Sequence, residues 1–424
     1  MKKAAFYTLG CRVNQYETQV MMNIFKEKGF EISTFDDKCD VYIVNSCAVT
    51  AMSEKKSRQV LRKAKRLNPE SVCAIVGCYP QKEQRSFDLT EADIIMGNDK
   101  KDEIFEAIEN VLKSKVTFFG FDDAMSFRKY REETCSPLFD NKTRAMIKIQ
   151  DGCDRFCSYC IIPYVRGPVR SRKIENILKE AEELASKGFV EVVLTGIQTA
   201  AYGQDLEKGS LIEVIEKVAL IDGIKRIRLG SLEPLIITED FLDRAKNTGK
   251  VCHSFHLSLQ SGCDSVLKRM NRRYTVKQYE NSIKLIRKYY PDAAITTDVI
   301  AGFPGETEEE FKTSLEFIRS VGFSHIHAFP YSPREGTKAA LIPEQLDKNV
   351  KEERVKLLNR ISLESHKKFI NSLHGNSYEV LIEKRTDENM YEGLTPNYIT
   401  VSVRSDTDIT DKITVVTLND KNTQ

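Results

Sequence analysis

Two successive series of short apolar runs alternating with amphipathic helical patterns constrain this chain more than any other feature. In the first, candidate strands at 4–9, 41–45, 72–76 and, more weakly, 94–96 alternate with helical patterns near 18–28 and 54–67. The second begins at 145, with strands at 145–150, 191–195, 226–229, 254–259, 295–300 and 325–329 and helices between them, for example 174–187, 276–290 and 308–321. Strands alternating with helices predict parallel sheets covered by helices. The fold class is therefore α/β. A parallel-sheet domain is expected over 1–115, a connector containing Ser136-Pro137 over 116–142, and a full or partial (β/α) barrel over 143–370. Sites on such barrels lie in loops at the carboxyl ends of the strands. A long charged helix is expected over 344–374. Short strands at 378–382, 398–403 and 412–417 then predict a small all-β barrel over 371–424. A length of 424 residues suits this division, since one domain usually takes about 100–200 residues.

The 41% hydrophobic and 30% charged content reads as soluble and globular, and no apolar run approaches the length of a membrane helix, so no membrane partner is expected. Residues 1–11 superficially resemble a lipoprotein signal, but the apolar stretch carries Tyr7 and Thr8 and reads better as a first strand. The net charge of +2 leaves any nucleic-acid surface to be local. Eleven cysteines, an odd number, suit thiolates for metals or catalysis in a cytoplasmic protein better than a disulfide framework.

The cysteines are placed by the strands. Cys153, Cys157 and Cys160 form C-x3-C-x2-C in the loop after the first strand of the second series. Three local thiolates on a 4Fe–4S cluster leave one iron open to a small molecule that offers an amine and a carboxylate. Zinc is the alternative, but a structural zinc wants four ligands and no fourth Cys or His stands nearby. Cys11, Cys47 and Cys78 each follow a strand of the first series and are preceded by a small residue, Gly10, Ser46 or Gly77. Parallel strands deliver their carboxyl ends to one edge, so these thiols should converge on a second cluster. The alternative is three buried cysteines acting as small hydrophobes. Cys39, Cys73, Cys135, Cys252 and Cys263 have no partner at ligand spacing.

These two cysteine groups and the final β-module resemble the methylthiotransferases of the radical S-adenosylmethionine (SAM) enzymes, together with the stretches 143–172, His256-Leu257-Ser258-Leu259-Gln260-Ser261-Gly262 and Gly302-Phe303-Pro304-Gly305-Glu306-Thr307. The resemblance spans essentially the whole chain. It implies an N-terminal domain binding an auxiliary cluster, a central radical SAM barrel and a C-terminal TRAM-like barrel that helps bind RNA. It implies two 4Fe–4S clusters and S-adenosyl-L-methionine as cofactors: one cluster generates the radical that abstracts hydrogen, the other supplies sulfur. Branches of the family differ in substrate, namely isopentenyladenosine or threonylcarbamoyladenosine beside the tRNA anticodon, or an aspartate of a ribosomal protein. Lys148-Ile149-Gln150-Asp151-Gly152-Cys153 and Ser261-Gly262-Cys263-Asp264 are most similar to the threonylcarbamoyladenosine branch. The implied partners are tRNA and an electron donor such as flavodoxin or ferredoxin.

Further candidates follow. Tyr159, Gly196, Ser258, Gln260, Gly302, Pro304 and Gly305 are expected around the SAM, with ordinary turn geometry as the alternative for the strand-end residues. Residues 55–69 carry seven basic side chains and no acidic one, with Arg58, Arg62 and Arg66 on one helical face. Arg166, Arg170 and Arg172 follow the cluster loop, and Arg269 and Arg272 belong to a third basic run. Such groups suit phosphates, which position RNA without reading its sequence. The C-terminal module dissents: five basic residues (Lys384, Arg385, Arg404, Lys412, Lys421) face nine acidic ones, so it either uses a local face with Lys384, Arg385 and Tyr398 or only packs on the core. His256, His325 and His327 are expected as core groups. A competing class is an RNA-binding protein whose clusters are structural or redox-sensing.

Overall fold

A computed structural model describes residues 1–84, 91–132 and 143–423. Cys135 and Ser136-Pro137 lie outside the described residues. The first part runs β1 (Lys3–Thr8), α1 (Arg12–Glu27), β2 (Glu31–Ser33), β3 (Val41–Ser46), α2 (Ala51–Leu67), β4 (Val72–Gly77), α3 (Cys78–Glu83), β5 (Ile94–Met96), α4 (Ile104–Ser114) and β6 (Phe118–Gly120). Its six strands form one parallel sheet of order β2-β1-β3-β4-β5-β6. β3 and β4 are buried along their whole length, as strands covered on both faces must be. The short edge strands β2 and β6, three residues each, carry too little periodicity to mark them in the sequence. β6 continues the sheet past residue 115 into the stretch read as connector.

The middle part runs β7 (Arg144–Asp151), α5 (Ile162–Arg166), β8 (Arg170–Ser171), α6 (Ile174–Ser186), β9 (Glu191–Gly196), α7 (Leu211–Ala219), β10 (Arg226–Leu229), α8 (Glu239–Asn247), β11 (Ser254–His256), α9 (Asp264–Arg269), α10 (Val276–Tyr289), β12 (Ala294–Ala301), α11 (Glu308–Val321), β13 (His325–Pro330) and α12 (Lys348–Leu373). β7, β9 and β10 pair in parallel, as do β11, β12 and β13. Isolated bridges from Ile227 to Val251 and from Leu232 to Leu257 join the two halves into one arc of six strands. Capping boxes at Thr275/Gln278 and Thr307/Glu310 start α10 and α11. One core, including Ile147, Leu194, Ile227, Phe255, Ile295 and Ile326, lies between these strands and their helices.

The last part adds β14 (Ser377–Asp387), β15 (Met390–Leu394), β16 (Thr400–Arg404) and β17 (Ile413–Thr417) in an antiparallel sheet of order β16-β15-β14-β17. Its apolar face packs Val380, Ile382 and Val401 against Ile370 and Leu373 of α12. α1 is shared between the first two parts: Met21 and Phe25 face the first sheet, while Tyr16, Val20 and Ile24 pack on Met146 of β7 and Val193 of β9.

Candidate active site

The first sheet places β1 between β2 and β3, so the order in which strands are added reverses between β1 and β3, and open α/β sheets bind ligands at the carboxyl ends of strands at such a point. Cys11 follows β1, Cys47 follows β3 and Cys78 opens α3 after β4. Local geometry keeps this edge open. Gly10 has φ +98°, and a Cβ there would lie 3.0 Å from Cys47 Sγ; Gly77 has φ +105°, and a Cβ would meet the Ser46 carbonyl at 2.7 Å. Val49 N donates to Cys47 Sγ at 3.4 Å, and Asn98 Nδ2 donates to Cys78 Sγ at 3.4 Å. Burial, then the neighbouring Cys78, push the Cys47 thiol up to about 12.

The second triad is built by one loop after β7. Gly152 (φ +74°) is confined to glycine, since a Cβ would lie 1.8 Å from the Pro168 carbonyl oxygen. Ser158 N donates to Met270 O at 3.0 Å, Ser158 Oγ to Arg269 O at 2.8 Å, and Asn271 Nδ2 to Phe156 O at 3.0 Å. The α9 region therefore clamps the loop from outside. Cys153 Sγ donates to Gln198 Oε1 at 3.0 Å, and Arg272 Nη1 donates to Cys157 Sγ at 3.4 Å. Burial, with Cys157 as the nearest thiol, raises Cys153 and Cys160 to about 12.

α5 separates the two triads. Its Val165, with Ile161, packs against Ala48 and Cys78, and Asn98 Nδ2 bonds Val165 O at 2.8 Å. Its last residue, Arg166, lies in the seam fully buried. It reaches Glu17 at 2.9 Å, Asp151 at 3.0 Å and Asn14 Oδ1 at 2.6 Å. Lys148 pairs with Glu17 at 2.9 Å and Asp151 at 3.0 Å, and Lys101 with Glu17 at 2.5 Å. Burial would raise Glu17, but Arg166, Lys101 and Lys148 outweigh it and hold that carboxyl well below its usual range. This buried ionic seam joins α1, which follows Cys11, to the end of β7, which precedes Cys153.

A cavity of about 690 Å³ runs through the barrel. It is lined by Gly10 and Cys11 from the first sheet, Thr195 and Gly196 from β9, and His256, Asp298, His325 and His327. Arg228, Asn397 and Tyr398 line it as well. The histidines are therefore more than core groups. His256 bonds Thr296 Oγ1 at 2.9 Å and Asp298 at 3.1 Å, and its ring lies 5.9 Å from that of His327. Burial lowers His325 and His327. No periodicity marked them, because their grouping depends on how adjacent strands face the barrel interior.

Of the residues expected around SAM, Gly196 lines this cavity; Ser258, Gln260, Gly302, Pro304 and Gly305 do not. Tyr159 packs with Phe303, Met270 and Tyr331 beside the cysteine loop. Ser258 offers its carbonyl to Arg272 and Tyr274. Gln260 adopts φ 68° and donates its N–H to Asp298 O at 2.8 Å. The 302–305 turn is held by structure of its own. Gly302 N donates to Glu306, which pairs with buried Arg354 at 2.6 Å, and Gly305 O accepts from Arg269 at 3.1 Å.

The expected RNA-contacting arginines divide. On α2, Arg62 and Arg66 are exposed, Arg62 pairing with Glu91 at 2.9 Å; Arg58 bonds Tyr79 OH at 2.6 Å. The other two runs are corrected. Arg166, Arg170 and Arg172 are buried: Arg170 bonds the Arg166 carbonyl at 2.7 Å, and Arg172 pairs with Glu180 and Glu132. Arg269 is taken by Glu310 at 2.6 Å, and Arg272 by Cys157 and Tyr274. These guanidinia neutralise buried carboxylates or brace the cysteine loop, which leaves Arg62 and Arg66 of α2 as the exposed members of the set. Tyr398 lines the barrel cavity, its ring 4.4 Å from Arg228 and 5.5 Å from Arg144, while Lys384 pairs with Glu392 at 2.9 Å.

Both triads fit 4Fe–4S clusters. Each offers three soft thiol donors, and the Gly10 cradle is one that a Cβ would fill. Among the described residues no three His, Cys, Asp or Glu side chains close round a single ion. A cubane instead takes its thiolates on separate irons.

Comparison with known proteins gives the family. Residues 147–318 match the Radical SAM superfamily, and residues 3–97 match the family described as Uncharacterized protein family UPF0004. The chain is 40% identical to the threonylcarbamoyladenosine tRNA methylthiotransferase MtaB of Bacillus subtilis, over 98% of this chain and 93% of that one. It is 34% identical to the tRNA-2-methylthio-N(6)-dimethylallyladenosine synthase of Natranaerobius thermophilus, over 92% and 88%. In fold it is similar to the radical S-adenosylmethionine methyltransferase TsrM of Kitasatospora setae with cobalamin and a [4Fe-4S] cluster bound (TM-score 0.57, 14% identity, 80% of this chain and 77% of that one). With near-full-length relatives well above 30% identity, the chain belongs to the methylthiotransferase family of radical S-adenosylmethionine enzymes, which use S-adenosylmethionine and 4Fe–4S clusters.

Proposed function

We propose that this protein adds a methylthio group at carbon 2 of N6-threonylcarbamoyladenosine beside the tRNA anticodon. The observation that carries the reading is that α5, which directly follows the Cys153–Cys160 loop, packs with Ile161 on Ala48 and Cys78 of the first triad's edge, while Cys11 lines the barrel cavity. Cys153, Cys157 and Cys160 hold the cluster that binds SAM, and Cys11, Cys47 and Cys78 hold the auxiliary cluster. When bound, the first supplies reductive cleavage of SAM and the second supplies sulfur. The chain's own residues position these groups. Arg272 and Gln198 orient Cys157 and Cys153, and α5 separates the two sites while joining them through Arg166. The substrate follows the relative with 40% identity in preference to the dimethylallyladenosine relative at 34%. The exposed basic face of α2 takes tRNA phosphates, flavodoxin or ferredoxin supplies electrons, and the enzyme works in the cytoplasm. Among the described residues no helix is long and apolar enough to cross a membrane.

Nucleoside mass spectrometry of tRNA from cells with and without the gene tests this reading. Loss of methylthio-threonylcarbamoyladenosine, with its unthiolated precursor accumulating, is the expected result. Unchanged tRNA nucleosides, with a methylthio group lost from ribosomal protein instead, would overturn the substrate.

A further inference from the structure

The cavity that reaches Cys11 has a cationic wall that the chemistry of two clusters does not require. Arg12 and Gln15 of α1, with Tyr398, line both this cavity and an adjoining one of about 360 Å³ that Arg144 also lines. Behind them stand Arg226 and Arg228 of β10. The carboxylates in reach are few. Buried Glu191 lies 2.8 Å from Arg228, 3.7 Å from Arg226 and 3.9 Å from Arg144. Glu383 lies 2.8 Å from Arg144, and Glu379 lies 3.8 Å from Arg226. Four guanidinium groups against three carboxylates leave one positive charge over (4 − 3 = 1), and it can be located. Arg144, Arg226 and Arg228 all have acidic partners, and Arg226 and Arg228 also bond the Leu394, Glu379, Pro396 and Thr395 carbonyls of the C-terminal module. The Arg12 side chain makes no hydrogen bond or ion pair with a described residue, although Glu191, already held by Arg228, lies within its electrostatic reach. Gln15 is exposed and lies three residues further along α1, on the same helical face.

An arginine fork without an acidic partner, in a partly enclosed cavity, favours a planar anion such as a carboxylate. It disfavours an apolar group, which would strip water from the charge and return no hydrogen bond. Arg12 also adjoins Cys11 in the chain, so an anion held there is presented beside the site that Cys11 lines. We propose that Arg12, with Gln15 beside it, binds the carboxylate of the threonylcarbamoyl substituent and so selects an acidic N6 group over an apolar one. This rests on the substrate reading above.

The test uses the full-length, cluster-loaded protein and an anticodon stem-loop RNA carrying threonylcarbamoyladenosine either as the free acid or as its methyl ester. Binding is read anaerobically by fluorescence anisotropy. The wild type is expected to hold the acid about tenfold tighter than the ester. Arg12→Gln should erase that ratio, and Arg12→Lys should restore part of it. A ratio that survives Arg12→Gln overturns the assignment, as does an equal loss for both RNAs, which is the signature of a backbone phosphate contact. Should Arg12→Gln lose iron, Gln15→Leu is read instead: a narrowed ratio supports the subsite and an unchanged one overturns it. A wild type that ignores the acid RNA but methylthiolates a dimethylallyladenosine RNA overturns the substrate reading, and the subsite with it. A normal wild type with an indifferent Arg12→Gln overturns the subsite alone.

Discussion

The two cysteine triads offer the same donors by opposite routes. Cys153, Cys157 and Cys160 come from one loop of eight residues, fixed by local hydrogen bonds and by the α9 region. Cys11, Cys47 and Cys78 are spread over 68 positions (78 − 11 + 1) and meet only because β1, β3 and β4 run parallel in register. The loop motif depends on its own turn and on one outside clamp, the α9 region. A site assembled by a sheet stands or falls with the sheet.

Breaking each triad at one ligand should give the largest effects, and unlike ones. Cys157→Ala is expected to abolish anaerobic cleavage of SAM to deoxyadenosine. Cys47→Ala should retain measurable cleavage and lose methylthiolation, each variant losing about four irons per chain. Cleavage that vanishes in both, with iron retained at the intact triad, would show that the sites are not separable.

The seam comes next. Arg166→Met leaves Glu17 and Asp151 buried beside fewer cations, and a broken buried pair typically costs roughly 3–5 kcal/mol. Urea unfolding should register that loss. If stability is unchanged, the seam does not couple the two regions.

A third effect is set by pH. Burial raises Cys47, Cys153 and Cys160 from 9.0 to about 12 in the folded chain without clusters. Above pH 9 the unfolded chain has released these protons and the folded chain still binds them, so stability falls as pH rises, by about 1 kcal/mol per thiol per pH unit up to about 12. Thermal melts of the cluster-free protein between pH 8 and 10 should show the decline. Cluster-loaded protein, whose thiols have already given up their protons, should lack it. Equal slopes in the two forms would remove these thiols from the ligand sets.

The smallest effect leaves both triads intact. Arg66→Ala on the exposed face of α2 should lower the magnitude of the slope of log affinity for tRNA against log salt by about 1 and leave SAM cleavage unchanged. An unaltered slope would move the RNA surface elsewhere.

Much of this was legible from the chain. Apolar runs followed by cysteines gave the strand ends, because a parallel strand must stop where its loop begins, and β10 was expected at 226–229, where it lies. The basic runs misled because a guanidinium has the same letter whether it meets a phosphate or a buried carboxylate. Arg166, Arg170 and Arg172 look like a phosphate-binding run until Asp151, Glu17 and Glu180 are brought to them from elsewhere in the sequence.

The sequence by itself determined the α/β class, the order of its parts and six cysteines at strand ends, since period and spacing are local properties. Only the tertiary structure decided which cations are spent on buried carboxylates, that α1 serves both the first sheet and the barrel, and that the Arg12 side chain is left without a hydrogen-bond or ion-pair partner among the described residues. Charge balance in a protein interior is a sum over neighbours, and neighbours from distant parts of a chain are set by packing.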